Sequence, residues 1–198
     1  MNPTFPARLD AKAALARYLL RYPEEAQRLH ALRVQLLTDP AILLRSNMRG
    51  HITTSAVVLD PTLREVLLVH HRAFDVWLPP GGHYEAPGSL WDSARREVAE
   101  ETGVRAVRAI GGKGAIVPLD IDTHAIPSRP EKREGAHCHH DFAYLAVAER
   151  EAALVAQAAE VTAVRWLALA DFAKWGSPRI GRVVSKALRI TGARDGGA

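Results

Sequence analysis

The chain has 198 residues, 47% of them hydrophobic and 24% charged, a balance that can bury a sizeable core and excludes disordered, collagen-like and disulfide-rich classes. Its formal net charge of +4 resides wholly in the tail, where Arg179, Arg182, Lys186, Arg189 and Arg194 oppose Asp195 and the chain before Pro178 is neutral. A local excess without interleaved aromatics argues against a nucleic-acid reader.

The first fifty residues read as helical. Asp10 is expected to cap a helix whose apolar face includes Ala11, Leu15, Tyr18 and Leu19, and Pro23 breaks it and opens a second with Glu24 and Glu25 in its first turn. Ala26, Leu29, Leu32 and Leu36 recur at helical spacing. The pair reads as a hairpin packed on the main domain, with a homodimer interface or substrate lid as the alternatives. Strand patterns follow at 52–60, 64–71 and 104–110, then at 115–121, 142–148 and 161–169. Between them lie a short apolar run with a Pro and Gly corner at 77–82, and a helix over Leu90–Thr102. A last amphipathic helix runs from Pro178 to Ile190, with Ile180, Val183, Val184 and Leu188 on its packing side. The absence of βαβ alternation and of repeats points to a mixed sheet flanked by helices.

Helix geometry places Glu97, Glu100 and Glu101 on one face within about one turn. Ser89 and Asp92 form a capping-box-like start and Gly103 a left-handed stop. Trp91, Ala94 and Val98 make an adjacent apolar stripe, and Arg96 sits one turn before Glu100. Crowded carboxylates beside an apolar stripe acquire raised pKa values unless a cation neutralises them. Hard, closely spaced oxygen ligands suit Mg²⁺ or Mn²⁺ better than zinc. A solvated acidic face is the plain alternative.

The segment resembles the Nudix box: Gly82, Arg96, Glu97, Val98, Glu100, Glu101, Gly103 and Val104 stand at its spacing, and the preceding Trp77–His83 run resembles its usual entry strand. The resemblance implies an α/β/α sandwich with a mixed β-sheet. Residues 1–49 are then an N-terminal helical extension and 50–198 the hydrolase domain with a basic C-terminal helix. It also implies Mg²⁺-dependent hydrolysis of a diphosphate bond in a small nucleoside diphosphate derivative or related molecule, with Mn²⁺ as substitute. Glu97, Glu100 and Glu101 then hold metal, a Gly81 carbonyl completes the shell, and Glu97, Glu100 and Arg96 serve the chemistry. A distant acid can be the general base, and Glu131, Glu134, Asp141 and Glu160 are candidates. One position departs: Gly88 replaces the first Glu of the box, while Glu85 stands three residues earlier. A nucleotide-binding domain without hydrolysis, an isoprenoid diphosphate isomerase and a decapping-like RNA enzyme therefore stay open.

Alternation in the segment 137–141 puts His137, His139 and Asp141 on one strand face and Cys138 and His140 on the other. His137 and His139, with His83 and Arg72, are candidate substrate contacts; a zinc site here lacks an obvious third ligand. Phe74 and Trp77 read as core or as base-stacking residues. A lone cysteine, no membrane-length apolar run and no signal-peptide core predict a cytoplasmic protein.

Overall fold

A computed structural model describes residues 5–111, 116–130, 133–150, 154–156, 160–175 and 177–192. Helix α1 (Phe5–Arg21) is followed by a 3-10 turn at Pro23–Glu25 and by α2 (His30–Thr38). Because α1 starts before Asp10, that residue is not its cap. Its carboxylate instead accepts the Leu90 N–H at 2.8 Å, satisfying a free amide at the start of a later helix. Ala11, Leu15 and Tyr18 are buried as the periodicity predicts, and so are Leu29, Leu32 and Leu36. Ala26 falls in the connection and is exposed.

The strands are β1 (His51–Leu59), β2 (Glu65–His71), β3 (Val76–Leu78), β4 (Gly81–His83), β5 (Val107–Ala109), β6 (Asp120–Ile126), β7 (His137–Ala148) and β8 (Val161–Ala168). Helix α3 (Leu90–Thr102) follows β4, and α4 (Leu169–Ala173) and α5 (Pro178–Thr191) close the chain. One mixed sheet has the order β3-β2-β1-β7-β5, with β4 on β1, β6 on β7 and β8 on β2. The central pair β1 and β7 is parallel, with His51 opposite His139 and Thr53 opposite Asp141.

Two strand boundaries differ from expectation. Strand β7 begins at His137 rather than 142, because β1 and β6 both pair with its polar first half and supply the ladder that apolar patterning cannot reveal. Strand β6 begins at Asp120, and residues 112–115 lie outside the described ones. Strand β5 is confined to the three residues that meet β7.

Alternation along the central strands builds the sandwich. Ile52, Ala56 and Val58 of β1 and Phe142, Tyr144 and Ala146 of β7 share one core with α1, α2 and α3. Val57, Leu59 and Leu145 face the other way, into a core with Phe172 of α4 and Val183, Val184 and Ala187 of α5. The basic α5 is discharged against interior acids. Lys186, 3% exposed, donates to Glu25 Oε1, Asp120 Oδ1 and the Tyr18 hydroxyl, each at 2.6 Å. Arg182 pairs with Asp122 at 2.6 Å, and Arg179 pairs with Asp141.

Candidate active site at the Gly-Gly corner

Helix α3 is fixed at both ends. Ser89 Oγ accepts the Asp92 N–H while the Asp92 carboxylate accepts the Ser89 N–H at 3.1 Å, and Gly103 closes the C-terminus in the left-handed conformation. Ala94 and Val98 are fully buried, Trp91 meets the Tyr144 ring edge-on at 5.6 Å, and Thr54 on β1 donates to Ser93 at 3.0 Å. These contacts orient the acidic face toward β4.

The three carboxylates run from buried to exposed. Glu101 is 2% exposed, the Glu97 side chain 12% and the Glu100 side chain 46%. The Gly81 N–H donates to Glu101 Oε2 at 2.9 Å. A Cβ on Gly82 would stand 2.7 Å from the Glu97 carboxylate, so only glycine lets the strand approach so closely. Burial pushes the Glu97 carboxyl up to about 7; Arg96 opposes the shift, while Glu100, Glu85 and Glu160 add to it. Burial likewise lifts Glu101 to about 8 against the Gly81 N–H, with Glu97, Glu160 and Glu100 adding their fields. Two buried acids short of positive charge are a donor set that fits a divalent cation.

Arg96 gathers this face. It donates to Glu85 at 2.8 Å, to Glu97 at 2.9 Å, to Glu100 at 3.4 Å and to the His83 carbonyl at 3.3 Å. Glu85 thus holds a partner for the arginine although Gly88 carries no acid. Gly88 itself has φ 138°, a backbone that disfavours a side chain, and its carbonyl accepts the Tyr84 hydroxyl at 2.9 Å.

A cleft of about 560 Å³ opens beside the Gly81–Gly82 corner, and His83, His137, His139 and Arg72 all line it. Arg72 stands exposed at its rim, whereas burial pushes His83 down to about 4 and His139 down to about 2. Of the four candidate bases, Glu134, Asp141 and Glu160 line this cleft, and Glu131 lies outside the described residues. Asp141 accepts hydrogen bonds from Thr53 at 3.1 Å and Ser55 at 2.6 Å and is paired with Arg179. A second, apolar compartment of about 470 Å³ adjoins the cleft through Ser55, Leu78, Pro79 and Arg179, and Trp77, Phe172 and Ile180 contribute to its wall. Phe74 lies in the charged cleft under the Arg129 guanidinium, 4.4 Å from its ring centre.

The NUDIX domain matches residues 49–187, more than two thirds of the chain. The chain belongs to the Nudix family. It is 32% identical over 140 residues to an m7GpppN-mRNA hydrolase from Bos taurus, a match covering 65% of this chain and 45% of that protein. A probable DHNTP pyrophosphohydrolase from Lactococcus lactis is 32% identical over 124 residues, covering 63% of this chain and 71% of the relative. The chain thus spans less than half the length of the bovine Nudix relative it matches. Among solved structures, a NUDIX-family hydrolase from Clostridium perfringens superposes with a TM-score of 0.55 at 22% identity, covering 73% of this chain and 99% of that one. At these identities the superposition establishes the Nudix fold.

The motif reading missed three contributors. His51 opens β1 and shares the cleft-side face with Thr53 and Ser55. Alternation alone would have grouped them, but nothing local tied that face to β7. Arg179 reaches the cleft from α5, and Asp10 ties α1 to the start of α3.

Proposed function

We propose that this chain is a Mg²⁺-dependent Nudix hydrolase that cleaves a diphosphate bond in a nucleoside diphosphate derivative or a related small molecule. The observation that carries the reading is the buried Glu97–Glu101 pair against the Gly81–Gly82 corner, with both carboxyls shifted upward by burial. In this reading residues 50–198 form the hydrolase domain, braced by residues 1–49, and a lone cysteine suits a cytoplasmic setting.

Glu97, Glu100 and Glu101 would hold the cation, with Gly81 backbone beside them. When bound, Mg²⁺ or Mn²⁺ neutralises diphosphate oxygens and lowers the pKa of a coordinated water. Arg96 keeps Glu97 and Glu100 in register and sets their charge. Glu100, the exposed member, is free to exchange protons with solvent and serves as ligand or base. Glu160 and Asp141 are the cleft's alternative bases, of which Asp141 is already committed to Arg179. His83, His139 and Arg72 line the path of the phosphates. Neutral imidazoles donate hydrogen bonds there without adding charge, and Arg72 adds it at the rim. The adjoining apolar compartment suits the non-phosphate half of the substrate, so the preferred ligand has an anionic end and an apolar or aromatic end.

The test is incubation of the chain with Mg²⁺ and a panel of nucleoside diphosphate derivatives, capped dinucleotides, pterin triphosphates and non-nucleotide diphosphates. Addition of water across a P–O–P bond, giving two phosphorylated products or one plus inorganic phosphate, supports the reading. Tight binding without turnover supports a non-hydrolysing domain, and a rearranged product that keeps its diphosphate supports an isomerase.

A further inference from the structure

We infer that His51, His137 and His139 form a second metal site, distinct from the carboxylates of α3, that holds a Zn²⁺-class cation through three imidazoles. Their ligand nitrogens lie within 4.8 Å of one another, and they are the grouping of this kind among the described residues. Parallel pairing creates it: His51 stands directly opposite His139, and His137 lies two residues earlier on the same face of β7. No local spacing motif encodes the set.

The hydrogen bonding prepares the donors. His51 Nδ1 lies 3.1 Å from the Asn47 carbonyl and His137 Nδ1 lies 2.7 Å from the Gly135 carbonyl. Each carbonyl accepts a proton from Nδ1, leaving the Nε2 lone pair available for a metal, as in second-shell support of histidine ligands. His51 is 1% exposed, and its Nε2 has no hydrogen-bond partner among the described residues. An unpaired buried acceptor of this kind requires a partner. His137 Nε2 and His139 Nε2 already stand 3.2 Å apart, close to the separation of about 3.4 Å that tetrahedral bonds of about 2.0–2.1 Å impose. Modest ring rotation brings the remaining nitrogen into place.

Imidazole donors select Zn²⁺, Co²⁺, Ni²⁺ or Cu²⁺ over Mg²⁺, so the two sites discriminate by ligand chemistry. His137 and His139 face the cleft. The remaining coordination position therefore opens to it and takes water or an anionic oxygen. His83, whose ring centre is 5.0 Å from that of His51, borders this opening. Cys138 lies on the opposite face of β7 by alternation and is not a ligand.

The test uses the full, untagged chain, stripped with chelator and exchanged into saturating Mg²⁺, then titrated with Co²⁺ or Zn²⁺ alone. The expected result is retention of a single equivalent, with tetrahedral Co²⁺ absorption lacking a thiolate charge-transfer band. Affinity should fall at least about tenfold in His139→Asn and His137→Asn and stay unchanged in Glu97→Gln/Glu101→Gln. Because His51 is buried, the His139 variant, whose side chain borders the cleft, carries the test if a His51 variant does not fold. No retained equivalent in the wild-type chain, or binding lost with the glutamates and kept without the histidines, overturns the inference.

Discussion

The Glu97 carboxylate occupies the space that a side chain on Gly82 would need, with its carbon 2.7 Å from the position of the missing Cβ. The glycine corner and the acidic helix are therefore one structural unit. Gly82→Ala must push Glu97 aside. A displacement of this order costs about a hundredfold in rate for a group positioned for chemistry. Steady-state kinetics should show that loss in kcat, with a circular dichroism spectrum like the wild type.

The raised carboxyls give a pH signature. Glu97 and Glu101 titrate at about 7 and about 8 in the folded chain, against 4.5 for an ordinary glutamate. Their contribution to stability is fully present below pH 4.5 and is lost as pH rises through the two folded-state values, because the unfolded chain ionises first. Buried His83, His139 and His140, shifted below 6.5, act in the opposite sense at low pH. The difference in Tm between wild type and Glu97→Gln/Glu101→Gln, measured in chelator from pH 5 to 9, isolates the carboxyls. It should grow in the variant's favour with pH, and Mg²⁺ should stabilise the wild type more at pH 8 than at pH 6.

Gly88 replaces an acid of the family box, yet restoring it is not expected to help. The backbone there has φ 138°, a Cβ would meet that of Asp92 at 3.2 Å, and Arg96 already pairs with Glu85. Gly88→Glu should lower the unfolding free energy by about 1–3 kcal/mol, the usual cost of a strained backbone residue, without raising kcat. Urea denaturation with parallel kinetics checks both parts.

Lys186 joins the two ends of the chain. Its ammonium neutralises Glu25 and Asp120 in the interior, so Lys186→Met leaves two carboxylates buried without their cation. A loss of about 3–5 kcal/mol is expected in urea denaturation, the range for breaking a buried ion pair from one side.

The metal helix was legible before the structure because its signals are local: the cap at Ser89, the stop at Gly103 and the i, i+3, i+4 carboxylates all lie within one element. The strands at 52–60 and 64–71 were equally plain from β-branched runs. What escaped was set by tertiary pairing. The polar first half of β7 is a strand because β1 and β6 flank it, and Asp10 caps α3 rather than its own helix. The tail's positive charge looked like an exposed patch, but Arg179, Arg182 and Lys186 find acids brought by β6, β7 and the N-terminal turn. Net charge along a chain says where cations are, and only the fold says what they face.

The most direct test of the carboxylate site is Mg²⁺-dependent turnover of Glu101→Gln on whichever diphosphate the wild-type chain cleaves. The variant removes one buried ligand while keeping shape and the Gly81 contact partner. The account predicts a folded protein with weakened Mg²⁺ dependence and most of its activity gone. Full activity at the wild-type Mg²⁺ requirement would contradict it.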